Sequence, residues 1–398
     1  MAKERVLIVG GGFGGVKTAL ELADNEHMAV TLLSDHTHLR YYPTLYHTAT
    51  GGRHASSSIR LTKLFSDKPV TIAQGRAVGL DRKAKTITTD DGRAFPFDTL
   101  VLSLGVVTNY FGIEGLQEYS YGIKSVEEAQ RLKAHLHQQL IDESKPDLNY
   151  VIVGAGPTGI ELAGALPEYL HYLMRNHNIR DRKVHVDLIE AMPRLLPRMP
   201  RDTSRMVKRR LKRLGVKLYV GTAVQSESAD ELTMNGKPVR SHTVIWTAGV
   251  TNHPFFKENE FALTKRGKVS VDAYLQAEDN IFVIGDNANT PFSGMAQTAI
   301  SDAVFVARNL RRRSEGKDFK SYSVHKPITV IPVGERWAMV LWGKLRMYGW
   351  LGWVLRELGD IKGFLDYQPL PQALEQWATG LGGEESCPVC VNAATHHA

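Results

Sequence analysis

Residues 150–161 read Tyr150-Val151-Ile152-Val153-Gly154-Ala155-Gly156-Pro157-Thr158-Gly159-Ile160-Glu161. A short apolar strand runs into a glycine turn, and a helix follows. This is G-x-G-x-x-G in the setting that gives it physical meaning. Gly154 permits the tight turn, Gly156 lets backbone N–H groups approach a pyrophosphate, and Gly159 lets helix and strand pack closely. The chain carries the motif twice: Val6-Leu7-Ile8-Val9 leads into Gly10-Gly11-Gly12-Phe13-Gly14-Gly15. Two such fingerprints imply two bound dinucleotides. A protein holding two usually passes a hydride between them, and the commonest pair is FAD with NAD(P)H.

Working outward, each fingerprint should be followed by a strand whose terminal acid holds a ribose, about 20 residues on. After the first, Ala29 to Leu33 is that strand. Ser34 stands at its end and Asp35 follows, so the acid is displaced by one position or replaced by a hydroxyl. After the second, a helix is expected through Leu166, interrupted at Pro167 and resuming to Arg175. The strand Val184 to Glu190 then ends on an acid, with Glu190 placed for ribose hydroxyls. Three more buried strands end in glycine: Thr99 to Gly105, Val244 to Gly249, and Ile281 to Gly285 with Asp286. A carboxylate after the last suits the ribityl hydroxyls of a flavin.

The remaining segments are read as follows. His38 to Tyr46 is aromatic and broken by Pro43, hence a loop. Ser56 to Lys63 is a short helix, and Val70 to Thr89 a small antiparallel hairpin system. Ser125 and Glu128 form a capping box opening a helix to Leu140. Residues 201–213 hold seven Lys or Arg, read as a solvated helix face. The helix from Gly294 to Arg312 ends on cations, as a helix C-terminus favours. Trp337 to Leu365 has near-helical apolar spacing with interspersed cations, weakened as one helix by Gly343, Gly349 and Gly352. That spacing suits a membrane surface or a dimer contact.

The length of 398 residues allows on the order of two to three domains. With 43% hydrophobic and 23% charged residues, the chain reads as an ordinary globular protein. A net charge of +7 is compatible with anionic cofactors, an anionic membrane surface or nucleic acid. The absence of zinc-finger or RNP-type motifs ranks nucleic acid last. No apolar run is long enough to span a bilayer, and no signal peptide is expected. The two cysteines, Cys387 and Cys390, lie far from either fingerprint. Disulfide or sulfide chemistry beside a flavin is therefore not expected. With His396 and His397 they form a tail read as disordered, not as a metal site, and no metal is expected.

These residues resemble a family. His38-Leu39, Pro43-Thr44-Leu45-Tyr46, Ala49-Thr50-Gly51, Asn109-Tyr110-Phe111-Gly112-Ile113, Gly159-Ile160-Glu161-Leu162-Ala163-Gly164, Ala248-Gly249-Val250 and Ala296-Gln297 are similar to the type II NADH dehydrogenases. These are single-subunit NADH:quinone oxidoreductases. The resemblance covers roughly residues 5–312, and Tyr348-Gly349-Trp350-Leu351-Gly352-Trp353 resembles that family's membrane-binding segment. It implies FAD in the first lobe, NADH in the second, and quinone on the opposite face of the flavin. It places Glu161 near flavin and nicotinamide, Lys124 close to the flavin, Ala296 and Gln297 at the flavin, and Gln297 and Ser301 on the quinone side. Ser301 departs from the family pattern A-Q-x-A-x-Q, where a second glutamine is usual. Ser34 departs where an acid is usual.

The expected architecture is α/β, with two Rossmann-like lobes, the FAD lobe split around the NADH lobe, and a C-terminal extension. The expected divisions are residues 1–115 with 251–320 for FAD, 116–250 for NADH, and 321–398 for membrane association or dimerisation. The expected activity is NADH oxidation with electrons passed to a quinone, without proton pumping, at the cytoplasmic face of a membrane. The alternatives are a soluble flavoprotein reductase serving a small protein, and a redox-sensing NADH-binding protein.

Overall fold

The computed structural model describes residues 2–141, 149–180, 182–323 and 326–382. The cysteine and histidine tail lies outside the described residues.

Two parallel sheets are built on one plan. In the first, Glu4–Val9 pairs with Met28–Ser34 on one side and Thr99–Leu102 on the other, and Val70–Gln74 extends it beyond Met28–Ser34. Late in the chain Ile281–Val283 returns to pair in parallel with Thr99–Leu102. In the second sheet Asn149–Val153 lies between His185–Glu190 and Thr243–Trp246, with Lys217–Val220 beyond. The order of the first four parallel strands is the same in both, and each sheet carries a three-stranded antiparallel meander before the fourth; the first sheet adds Ile281–Val283 and, antiparallel at its edge, Gln276–Glu278. The central strands are apolar on both faces, as a covered parallel sheet requires. Val6, Leu7, Ile8 and Val9 are buried, as are Tyr150, Val151, Ile152 and Val153.

Several local expectations need correction. The aromatic segment is not a loop. His38–Arg40 pairs with Ser58–Arg60, and Pro43 sits in the first turn of a helical segment that continues through Leu45–Ala49. Proline fits there because a first-turn N–H needs no partner within the helix. Ser58–Arg60 is therefore strand, not helix. Val70–Gln74 joins the parallel sheet, so only Ala77–Asp81 onward is antiparallel. Pro167 does not interrupt its helix. Pro157–Asn176 is continuous, and the proline removes one donor on a buried face.

Trp337–Leu365 is not one helix either. Ala338–Trp342 and Leu345–Gly349 form a hairpin packed beside Thr329–Pro332, and Trp350–Leu365 is a helix. The glycines cause the switch: Gly343 and Gly349 have φ of +60° and +88°, and Gly352 lets the helix settle against the Ala338 carbonyl. This helix is inverted relative to an ordinary surface helix. It buries Arg356 and Asp360 as an ion pair and leaves Trp350, Leu351 and Leu358 exposed by 63%, 55% and 56%. Among the described residues no helix is long and apolar enough to cross a membrane.

Candidate active site

The two glycine turns share their construction. Gly10 and Gly154 have φ of +116° and +107°, where a side chain is strained. Their N–H groups donate to Leu33 O and Ile189 O, each at 2.8 Å. Gly15 and Gly159 lie so close to the Gly10 and Gly154 carbonyls that a Cβ would overlap them. Gly12 and Gly156 behave in the opposite way. Each is the N-cap of its helix without a side-chain cap, and a Cβ on either would meet nothing within 4 Å. The first backbone N–H groups of each helix therefore face open space, the cradle an anionic pyrophosphate requires. Both turns fit a dinucleotide. Pro157 at the first helical position leaves the cradle clear, with Thr158 next to it.

A second repeated device escaped the sequence reading, although its signal was there. Thr99–Leu102 and Thr243–Trp246 are each followed by a hydroxyl residue two before a glycine, Ser103-Leu104-Gly105 and Thr247-Ala248-Gly249. Ser103 N donates to Val9 O and Thr247 N to Val153 O, each at 2.8 Å. Thr247 Oγ1 also reaches Gly154 O at 3.0 Å. This brings Ala248 against the second turn, where a Cβ on Gly154 would lie 2.5 Å from Ala248 Cα. A Cβ on Gly14 would sit 2.6 Å from Ser103 Oγ, and one on Gly249 2.5 Å from the Phe111 ring.

The strand ends differ. Glu190 is buried; its Oε2 accepts from Ala155 N and its Oε1 from Met192 N, both at 2.8 Å. It braces the glycine turn from the end of its strand. Ser34 is buried too, but its hydroxyl is taken by the chain: it donates to His36 O at 2.7 Å and accepts from His36 N at 3.1 Å. Asp35 points outward, pairs with His36 at 3.1 Å, and lines a cavity of about 570 Å³ with Gln74, Gly75 and Arg76.

Around the first turn the structure gathers residues distant in sequence. Phe13 packs edge-on against Tyr41, centroids 5.7 Å apart. Gly285 and Asp286 form a short 3-10 turn after Ile281–Val283. Burial pushes the Lys124 ammonium down, and Asp286 is the first of the charges that oppose this. Lys268 Nζ donates to Asp286 O at 2.8 Å. Gly285 N donates at 2.9 Å to Asp302, a buried carboxyl that also accepts from Tyr322 and that burial pushes up to about 6. Asp302 has no motif to announce it; it is seventeen residues away on the helix Ala296–Ser314. Ala296 opens that helix. Gln297 exchanges both amide contacts with the Ile328 backbone, at 3.1 and 3.0 Å. Ser301 folds its hydroxyl back onto Gln297 O at 2.9 Å, a turn of helix away and on the same face.

Glu161 lies in the first turn after Gly159. It is half-buried, and desolvation pushes its carboxyl up to about 8, with Arg356 of the C-terminal helix pulling the other way. Arg356 also donates to Pro43 O at 2.9 Å, and Tyr41 Oη donates to Asp360 at 3.2 Å. Burial raises Tyr46 to about 12 and lowers His47, with Arg356 acting on both. The one charge that acts on Glu161 is thus Arg356, itself paired with Asp360. Among the described residues no group of three or more His, Cys, Asp or Glu could hold a metal ion.

The pyridine nucleotide-disulphide oxidoreductase profile matches residues 4–303. A type II NADH:quinone oxidoreductase of Staphylococcus saprophyticus is 27% identical over 356 residues, 83% of this chain and 88% of the relative. NDH2 of Plasmodium falciparum, solved with NADH, superposes with a TM-score of 0.86 at 15% identity, over 95% of this chain and 98% of that one. The sulfide:quinone oxidoreductase of Aquifex aeolicus superposes with a TM-score of 0.77 at 21% identity, over 91% and 90%.

Proposed function

The chain belongs to the pyridine nucleotide-disulphide oxidoreductase family, and on that premise we propose that it oxidises NADH through bound FAD and delivers the electrons to a quinone. The observation that carries this reading is the pair of equivalent glycine turns, each open at the one glycine where a pyrophosphate must approach. Bound FAD supplies the two-electron relay between nucleotide and acceptor. The turn at Gly10, Gly12, Phe13, Gly14 and Gly15 holds its pyrophosphate. Asp286, set by Gly285, and Lys124 hold the ribityl and ring end, while Ser34 and Asp35 flank the adenosine end. Gly154, Gly156, Pro157, Thr158 and Gly159 hold NADH, Glu190 its ribose, and Ala248 with Gly249 the nicotinamide side. The divisions 1–115 with 251–320, 116–250 and 321–398 follow the same assignment.

Hydride transfer needs proximity and exclusion of water, not an acid–base pair. Quinone reduction also consumes two protons. Glu161 keeps its proton to about pH 8 and is the donor on the site's own wall. Gln297, tied to Ile328, shapes the quinone side, and Ser301 leaves that side wider than glutamine would. No cysteine occurs before residue 387, so the electrons have no dithiol to pass through beside the flavin.

A quinone partitions into lipid, and the inverted C-terminal helix fits a peripheral dock on the cytoplasmic face of a membrane. Its apolar stripe of Leu351, Leu358 and Leu365 continues in the exposed Leu370, Leu374 and Leu381 of the next helix. A second copy of the chain is the competing occupant of that face. The test is purification with a flavin spectrum, then stopped-flow reduction by NADH measured apart from reoxidation by a short-chain quinone. Glu161→Gln and Gln297→Ala should keep FAD, and Gln297→Ala should slow reoxidation alone. A colourless protein, or one that NADH reduces but quinone never reoxidises, overturns the reading.

A further inference from the structure

The helix Arg201–Arg213 takes no part in the site. Its exposed face carries Arg201, Arg205, Lys208, Arg209, Lys212 and Arg213. At these spacings the six lie on one side of the helix, a stripe about 18 Å long at ~1.5 Å per residue. None of the six forms an ion pair with a described residue. An ordinary solvated face mixes signs. Here Arg201, Arg205, Arg209 and Arg213 repeat like charge at every fourth position, which destabilises a helix. The one acid, Asp202, is consumed by Arg346.

The location is what gives the stripe a partner. Each lobe joins its second and third strands by a crossover, and the C-terminal extension covers both. In the first lobe the crossover meets the C-terminal helices, where Tyr41 stacks on Phe364 and Pro43 receives Arg356. In the second lobe the crossover is this basic helix. Its first turn touches the C-terminal hairpin through Asp202 with Arg346 and Thr203 with Tyr348 at 3.1 Å. Arg210 anchors its other end, donating to Val333 O and Glu335 O, each at 3.0 Å. The hairpin tip beside it exposes Trp342 and Leu345.

We propose that the stripe is the electrostatic half of a docking surface for an anionic bilayer, whose apolar half is the hairpin tip and the C-terminal helices. The proposal rests on the peripheral-membrane reading above and adds the second lobe to the footprint. Each cation brought to an anionic surface should strengthen partition roughly fivefold at low salt, and salt should remove the gain.

The test uses FAD-loaded full-length protein with two kinds of vesicle, phosphatidylcholine alone and phosphatidylcholine with phosphatidylglycerol, at low and high salt. One variant carries Arg205→Gln, Lys208→Gln, Arg209→Gln and Lys212→Gln; a second carries Trp342→Ser and Leu345→Ser. The first should lose about tenfold or more in partition to the anionic vesicles at low salt. It should match wild type on neutral vesicles, in melting temperature and in NADH oxidation with a soluble quinone. The second should weaken on both vesicles. If the first variant equals wild type on anionic vesicles, or if phosphatidylglycerol adds nothing to wild-type binding, the stripe proposal is overturned while peripheral docking stands. If wild type binds neither vesicle, the docking reading falls and the stripe proposal with it.

Discussion

The two glycine turns are the same machine built from different neighbours. Gly10 matches Gly154, Gly12 matches Gly156, Gly15 matches Gly159, and even the hydroxyl of Ser103 has its counterpart in Thr247. The differences begin one residue beyond. At the strand end the first turn has Ser34 and the second Glu190. Two residues past the last glycine the first lobe has Lys17 where the second has Glu161. Both are tied to the C-terminal helix: Lys17 donates to Asp366 O at 3.0 Å, and the charge of Arg356 acts on Glu161. Backbone geometry repeats because any pyrophosphate needs it. The divergence of the side chains suits the roles proposed above, in which one turn keeps its dinucleotide through every turnover and the other releases it.

The largest effect should come from filling the two cradles. Gly12→Val and Gly156→Val place a side chain in open space, so both variants should fold, Gly156→Val melting near wild type and Gly12→Val near wild type stripped of FAD. Gly12→Val should purify colourless. Gly156→Val should stay yellow while its KM for NADH rises about a hundredfold, the loss of several charge-assisted hydrogen bonds. A yellow Gly12→Val would break the equivalence of the turns. Next in size is Glu190→Gln. Hydrogen bonds to a charged group are worth about 1.5–3 kcal/mol, so kcat/KM for NADH should fall roughly ten- to a hundredfold. The wild type should disfavour NADPH, whose 2′-phosphate would meet this carboxylate, and the variant should narrow that gap. Equal use of the two nucleotides by wild type would remove Glu190 from the ribose position.

The turns were legible because the constraint is local: strand, positive φ, close approach and helix fall within a dozen residues. The apolar strands ending in glycine were legible for the same reason, and with them the two Rossmann-like lobes. What stayed hidden depends on distant pairings. Asp302 bonds to Gly285, and the charge of Arg356 acts on Glu161, through a folding of the chain that no spacing encodes. The C-terminal stretch misled for another reason. Apolar residues at 341, 345, 348, 351 and 355 satisfy a helical period, yet the first three lie in strands. The glycines that weaken the helix on paper are turns in space. Inverted burial hid Arg356 further, because a basic residue in an apolar helix reads as solvent-facing.

The contrast between the two turns sharpens with pH through Glu161. Glu161 titrates near 8 in the folded chain against an ordinary 4.5, because burial disfavours its charge. A raised carboxyl stabilises the fold below its unfolded pKa, and that contribution is lost as pH rises towards the folded value. Between about pH 4.5 and 8 the wild type should therefore lose stability that Glu161→Gln keeps. The gap should grow by on the order of 1–3 kcal/mol across that window. Melting curves of both proteins from pH 5 to pH 9 measure it. A constant gap for Glu161→Gln would mean that the carboxyl is already ionised in the fold.

The smallest effect belongs to Ser34. Its hydroxyl and the Glu190 carboxylate do one job in common: each accepts the N–H of the residue two places on, His36 or Met192, and so shapes the turn that leaves the strand. Glu190 does a second job, taking the N–H of Ala155 within the glycine turn. Ser34 is too short for that, and its approach forces glycine at the matching position. A Cβ on Gly11 would overlap the Ser34 hydroxyl. The first turn is thus shaped without a charged brace. Ser34→Ala removes one hydroxyl and leaves the His36 N–H without that acceptor, a loss of about 1–2 kcal/mol for a buried pair. The melting temperature should drop by a few degrees while FAD stays stoichiometric and the KM for NADH is unchanged. Loss of FAD from Ser34→Ala would show that the hydroxyl, despite its bonds to His36, also holds the adenosine ribose. The two strand ends would then be equivalent after all.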